Sequence, residues 1–136
     1  MRVLDVGGGK RPAISPKLKK DLELYVVGLD VSEQELGLAP DGAYEQIIVG
    51  DVADVHIHEA FDLIVSCAVM EHVQNPAKAV VNLAGALLPG GQMAHFIPCT
   101  FAPFAMFNRL IGNQLARRLL FRLHPDTEDA QGFKAY

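Results

Sequence analysis

The chain has 136 residues, 50% of them hydrophobic, which suits one hydrophobic core and asks for no second domain. Its net charge of −4 argues against a nucleic-acid-binding protein held by phosphate contacts, because such proteins usually carry a dominant basic face. No apolar run reaches the roughly 18 residues that span a membrane, and no signal peptide opens the chain, so we expect a soluble, cytoplasmic protein.

Five short apolar runs, most of them ending next to Gly or Asp, predict strands of a parallel sheet that is buried on both faces. These strands are expected at residues 3–6, 25–29, 46–49, 61–66 and 92–97. Helical patterns at 15–23 and 32–38, and a turn or two within 52–58, separate them. This alternation predicts an α/β, doubly wound fold with its ligand site at the carboxyl ends of the strands.

Two longer helices are expected in the second half of the chain. The first begins at the cap Asn75 with Pro76 in its first turn, and Pro89-Gly90-Gly91 is expected to stop it. Its predicted apolar stripe is Val80, Val81, Ala84, Leu87 and Leu88. The second spans 103–123, and its arginines suit a solvated face, an anionic substrate or peripheral contact with a membrane surface: Arg109, Arg117, Arg118 and Arg122.

A glycine-rich turn, Gly7-Gly8-Gly9, follows the first strand and permits close approach of a ligand to the backbone. A plain tight turn is the alternative. A dinucleotide fingerprint would need a third glycine at position 12, where Pro12 lacks the N–H that a pyrophosphate requires. Asp5 would also repel a pyrophosphate, whereas it could accept hydrogen bonds from a cationic amino group.

Carboxylates also follow the second and third strands. Asp30 could accept hydrogen bonds from both ribose hydroxyls of an adenosine-containing ligand, or it could cap the helix that begins near Ser32. Asp51 could accept a hydrogen bond from the amino group of adenine, while Val52 offers a backbone N–H and an apolar contact to the ring. Alternatively, Asp51 could be a plain turn residue. Because Asp5, Asp30 and Asp51 all fall at carboxyl ends of strands, we expect them to share one crevice.

These motifs, in this order and spacing, resemble those of the class I S-adenosylmethionine-dependent methyltransferases of the small-molecule type. The resemblance covers residues 3 to about 98 and includes Phe61 to Ser66, Glu71-His72-Val73 and Leu87 to Gly91. It implies a Rossmann-like, mostly parallel sheet of order 3-2-1-4-5 and S-adenosyl-L-methionine as cofactor. The residues it places at the cofactor are Asp5, Gly7, Gly8, Gly9, Asp30, Val31, Asp51, Val52, Ser66, Cys67 and Ala68.

The sequence departs from that family in three places. Arg11 replaces the third glycine and Pro12 follows it. The helix before the first strand and the sixth and seventh strands are also missing, so the chain is expected to be truncated at both ends. The edge of its fifth strand would then be exposed, or would rely on a partner or on further chain. We expect a single domain over 1–136, with a cofactor-binding core (1–98) and a substrate-covering segment (99–136).

Methyl transfer from a sulfonium requires mainly alignment, because the cofactor carries the reactive group. His72, the one histidine expected near the crevice, is a candidate general base, and a packing role beside the cofactor is the alternative. A small-molecule methyl acceptor is expected, with no nucleic-acid partner. The competing functions are a noncatalytic cofactor-binding or regulatory module and a nicotinamide oxidoreductase, the latter disfavoured by Asp5 and Pro12.

No metal site is predicted. His56 and His58 have a spacing that could suit a metal ion, but without a companion cluster a solvated loop is the favoured interpretation. Cys67 and Cys99 lie in apolar surroundings without CxxC spacing and are expected to be reduced core thiols.

Overall fold

The computed structural model describes residues 1–97. Five strands follow one another along the chain, and helices connect them except between the third and the fourth. The strands are β1 (Arg2–Val6), β2 (Tyr25–Asp30), β3 (Gln46–Val49), β4 (Phe61–Cys67) and β5 (Leu87–Phe96). The helices are α1 (Pro16–Asp21), α2 (Glu33–Gly37) and α3 (Pro76–Gly85), with a 3-10 turn at Met70–His72.

All five strands are parallel, and they lie in the order β3-β2-β1-β4-β5. The predicted fold class and strand order are therefore confirmed. The parallel arrangement brings the carboxyl ends of the strands to one edge, and the reversal of strand order beside β1 opens a crevice there. Among the helices of residues 1–97, none has the length and apolar character needed to cross a bilayer.

Apolar side chains are buried on both faces of the sheet, as continuous apolar strands require. The larger cluster joins Leu4, Val27 and Ile64 to two residues of α3, Ala79 and Leu83. The smaller cluster joins the strand residues Val3 and Val26 to Leu24. Phe61, at the start of β4, is the largest fully buried side chain.

The predicted cap of α3 is present, because the Asn75 side chain accepts a hydrogen bond from the Lys78 backbone N–H at 3.0 Å. The predicted apolar stripe of this helix is wrong. Ala79 and Leu83, one helical turn apart, face the core, whereas Val80 and Val81 are exposed. The predicted stripe includes Leu87 and Leu88, but both belong to β5, so the face of the helix that contacts the core is a different one.

The role predicted for Pro89-Gly90-Gly91 is also wrong. The helix already ends at Gly85, and these three residues lie inside β5, which begins five residues earlier than expected. The pairing of β4 with β5 shifts register between Phe61 and Leu63, as at a β-bulge. Gly90 adopts a φ of +84°, which accounts for a glycine at this irregular point.

The other predicted elements agree with the structure within two residues at most ends. A single turn follows Asp51, with the backbone N–H of Val55 donating to the Asp51 carbonyl at 2.7 Å. Cys67 is exposed, so its assignment to the core is wrong. Cys99, the 103–123 helix with its arginines, and the whole substrate-covering segment (99–136) lie outside the described residues.

Candidate cofactor site at the carboxyl edge of the sheet

The crevice is built from the turns that follow β1, β2 and β3. The backbone N–H of Gly7 donates to the Leu29 carbonyl at 2.6 Å, and that of Gly50 donates to the Asp30 carbonyl at 2.9 Å. These two hydrogen bonds tie the glycine-rich turn to the end of β2, and the end of β2 to the turn containing Asp51. The three predicted carboxylate positions therefore lie on adjacent strands along one edge.

Asp5 is fully buried on β1 beneath the glycine-rich loop. Its Oδ2 accepts a hydrogen bond from the Ala13 backbone N–H at 2.7 Å, so this carboxylate also fixes the loop that contains Arg11 and Pro12. Its Oδ1 is buried and has no hydrogen-bond partner among residues 1–97. A buried carboxylate oxygen without a donor costs free energy that a ligand donor could recover.

Burial raises the pKa of Asp5 to about 6 by disfavouring its charged form, and the backbone N–H groups of Ala13 and Ile14 offset part of that rise. The folded-state pKa lies above the ordinary value of 3.8, so folding binds the proton more tightly. Stability from this group is fully present below the unfolded pKa and is lost as the pH rises through about 6.

We therefore expect the free energy of unfolding to fall by about 3 kcal/mol between roughly pH 4 and 7 because of this residue. Chemical denaturation at stepped pH would measure it. Asp5→Asn is the control, because its amide oxygen can still accept from Ala13 but no longer titrates. A slope as steep in this variant as in the unchanged chain would contradict the prediction.

The glycine-rich turn leaves no room for side chains. A Cβ on Gly8 would lie 2.8 Å from Asp5 Oδ2 and closer still to the Tyr44 hydroxyl. A Cβ on Gly9 would lie 3.2 Å from Asp30 Oδ2. Gly7 and Gly9 also have positive φ angles, +69° and +45°. The glycines therefore let the loop backbone lie against the carboxylates of Asp5 and Asp30. The close approach of a ligand to this backbone stays a prediction.

Asp30 and Asp51 each form a local turn. Asp30 Oδ1 accepts from the Ser32 backbone N–H at 2.9 Å, and Asp51 Oδ1 accepts from the Ala53 N–H at 2.8 Å. The helix cap of α2 is Ser32 itself, whose hydroxyl accepts from Glu35, so the alternative of Asp30 as the cap is wrong. In each carboxylate the second oxygen has no hydrogen bond from these turns.

Two valines flank these carboxylates with exposed apolar surface. Val31, directly after Asp30, is 69% exposed, and Val49, at the end of β3, is 46% exposed. Val52 differs, because its side chain lies in the larger core cluster. The contacts predicted for Val52 with adenine, through its side chain and its backbone N–H, stay predictions.

Tyr44 lies at this site although no sequence motif indicates it. Its ring packs where a Cβ on Gly28 would lie, 2.9 Å from three ring carbons, and its hydroxyl donates to the Gly9 carbonyl at 3.2 Å. Burial, followed by the Asp5 and Asp30 carboxylates, raises the pKa of Tyr44. Tyr44 therefore supports the glycine-rich turn from below and stays a neutral donor. The absence of a side chain at Gly28 was the one available signal.

The residues predicted after β4 take different positions. Ser66 is buried at the end of β4, Cys67 is exposed, and Ala68 turns with a φ of +55° while its N–H donates to the Phe96 carbonyl at 2.8 Å. A positive φ at a residue other than glycine is uncommon, and here the bond to β5 holds it. His72 lies half-buried in the 3-10 turn that follows.

His72 is not the only histidine near this edge. His95 lies one residue before the end of β5, and its Nδ1 is 2.8 Å from Ser66 Oγ. The expectation of a single nearby histidine is therefore wrong. Elsewhere, the rings of His56 and His58 touch edge to face, and no three His, Cys, Asp or Glu side chains within 1–97 could hold a metal ion.

Known proteins share both sequence and fold with this chain. The model of a methyltransferase domain family matches residues 4–95. A ubiquinone biosynthesis O-methyltransferase from Maricaulis maris is 34% identical over 106 residues, covering 68% of this chain and 39% of that protein. The chain thus spans about two fifths of the length of this curated relative.

Two solved structures share the fold. A S-adenosylmethionine-dependent methyltransferase from Clostridium acetobutylicum has a TM-score of 0.62 at 19% identity, covering 82% of this chain and 46% of the other. An amino pentose methyltransferase from Micromonospora echinaspora, solved with bound S-adenosylmethionine, also gives 0.62, at 21% identity, with 72% and 43% covered.

Proposed function

This chain belongs to the S-adenosylmethionine-dependent methyltransferase family, and from that premise we propose that residues 1–97 bind S-adenosylmethionine at the carboxyl edge of the sheet. We further propose that the whole protein transfers the methyl group to a small molecule. The relative from Maricaulis maris is named as an O-methyltransferase, and this name supports an oxygen atom as the methyl acceptor.

The observation that carries the proposal is the convergence of three carboxylates and a glycine-rich turn on adjacent strand ends. The buried, unpartnered Oδ1 of Asp5 suits the cofactor's ammonium group, since a charge-assisted hydrogen bond would satisfy it. Asp30 would accept from the ribose hydroxyls and Asp51 from the adenine amino group. The exposed apolar surface of Val31 and Val49 suits the adenine ring.

When bound, the cofactor supplies an electrophilic methyl group on a sulfonium sulfur. The chain's own contribution is to hold that group in a fixed direction. The turn at Gly7-Gly8-Gly9 allows close approach of the backbone, and Tyr44 and Ala13 fix the loop on either side of Asp5. Such positioning removes several kcal/mol of the entropic barrier to an in-line displacement.

Asp30→Ala is expected to weaken binding of S-adenosylmethionine and S-adenosylhomocysteine by about 1 to 3 kcal/mol, or roughly 5- to 150-fold. The loss follows from removing the acceptor for the ribose hydroxyls. Titration calorimetry would measure it, with NAD as a ligand that should not bind. Asp21→Ala, at the exposed end of α1, is the matched control.

An Asp30→Ala variant with unchanged affinity would exclude the ribose role. Absence of binding by the unchanged full chain would exclude the proposed function as a whole. Cofactor binding without methyl transfer to any acceptor would instead favour the noncatalytic module.

A further inference from the structure

Ser66, which is buried, and His95, which is half-buried, form a hydrogen-bonded pair beside the candidate cofactor site. They are register neighbours at the ends of β4 and β5, and Ser66 Oγ lies 2.8 Å from His95 Nδ1. Ser66 is 3% exposed, and the neighbouring strand end on its other side is Val6 of β1, next to Gly7. The pair therefore continues the edge along which the cofactor residues lie.

The second ring nitrogen of His95 makes no hydrogen bond within the described part of the chain. Its Nε2 is buried and lacks a hydrogen-bond partner among residues 1–97. Leaving a buried polar atom unsatisfied costs about 1 to 3 kcal/mol, so such an atom calls for an explanation. If Nδ1–H donates to Ser66 Oγ, the lone pair stays on Nε2, and the imidazole is a fixed proton acceptor.

The charge pattern of the edge divides it into two parts. The ends of β1, β2 and β3 carry the carboxylates that suit a cationic adenosine ligand, whereas the ends of β4 and β5 carry Ser66 and His95 in place of carboxylates. An acceptor molecule must approach the sulfonium from a part of the edge that the cofactor leaves open. The end of β5, next to Ser66, is the strand end to which no cofactor contact is assigned.

We propose that His95, oriented by Ser66, is the general base that deprotonates a hydroxyl group of the methyl acceptor. This inference rests on the proposed function. The acceptor's proton moves to His95 Nε2 as an oxygen lone pair forms the C–O bond. The C–S bond breaks, and its electron pair remains on sulfur in the neutral thioether product.

His95 and Ser66 have different roles in this proton transfer. His95 contacts the reacting hydroxyl and is catalytic, whereas Ser66 acts through His95 and is a positioning residue. Removing a general base typically costs about 10²- to 10⁴-fold in rate. Removing one orienting hydrogen bond of about 1.4 kcal/mol costs roughly tenfold.

The test uses the full-length protein with S-adenosylmethionine and catechol, and o-phenylenediamine as the nitrogen counterpart of the same shape. His95→Asn keeps a polar group near Nδ1 and removes Nε2. We expect kcat on catechol to fall about 10²- to 10⁴-fold, with unchanged affinity for S-adenosylhomocysteine. Ser66→Ala should lower kcat roughly tenfold, and Ser66→Thr should restore it. His58→Asn, on an exposed loop, is the matched control.

Three results would overturn the proposal while S-adenosylhomocysteine still binds. They are full catechol turnover by His95→Asn, methylation of the diamine in place of catechol, and no methylation of catechol. His95→Gln replaces His95→Asn if that variant fails to fold. Loss of S-adenosylhomocysteine binding in the unchanged protein would instead overturn the proposed function itself, and this inference with it.

Discussion

Phe61→Ala is expected to lower the free energy of unfolding by about 3 to 5 kcal/mol. Phe61 is fully buried at the first position of β4 and belongs to the larger core cluster. Its backbone is held on the side of β5, where it pairs with Leu87 and its N–H donates to the Ala86 carbonyl at 2.9 Å. Because the strand cannot move inward to fill the space, the substitution would leave a cavity instead of a collapsed core.

Urea denaturation followed by circular dichroism would measure this loss. Phe96→Ala is the matched control, because Phe96 ends β5 with 63% of its surface exposed. An exposed substitution of this kind should change stability by no more than about 0.5 kcal/mol. Equal losses in the two variants would show that the core is not centred on Phe61.

Gly7→Ala is expected to cost about 2 to 5 kcal/mol, from two separate causes. A φ of +69° strains an alanine by about 1 to 2 kcal/mol. Its Cβ would also lie 2.7 Å from Val69 Cγ1 and closer to Cγ2, an overpacking worth about 1 to 3 kcal/mol. Since Gly7 opens the loop of the candidate cofactor site, affinity for S-adenosylhomocysteine should fall as well.

Two further variants separate these causes. Gly42→Ala has the same kind of strain, with a φ of +75°, but an added Cβ there meets nothing within 4 Å. It should therefore lose only the strain energy. Val69→Ala in the Gly7→Ala background should recover the packing part. If Gly42→Ala and Gly7→Ala lose equal stability, the contact with Val69 carries no cost.

The strands could be predicted from sequence because buried parallel strands are continuous apolar runs. The strands at 25–29 and 46–49 could be recognised without knowing which strands they pair with. The start of β5 could not. Pro89-Gly90-Gly91 resembles a helix stop in any single sequence, and only the bulge opposite Phe61 explains these residues inside a strand. The buried face of α3 could not be predicted for the same reason, because Leu87 and Leu88 continue the apolar pattern of the helix but belong to β5.

The candidate site shows a similar division. Asp5, Asp30 and Asp51 could be placed together because the carboxyl ends of parallel strands share an edge. Tyr44 and His95 could not, because their roles depend on contacts between distant segments. Tyr44 reaches Gly9 across 35 positions of the chain, and His95 reaches Ser66 across 29. No local pattern encodes such pairings.

The central position of β1 affects how the chain folds during synthesis. β1 pairs with β4, and the Arg2 backbone N–H bonds Asp62 across 60 positions. At a ribosome rate of about 5 to 20 residues per second, β1 waits roughly 3 to 12 s for this partner. During that delay the edge of β1 that pairs with β4 has no partner strand. A transient chaperone contact with the nascent chain would shield this edge until β4 emerges.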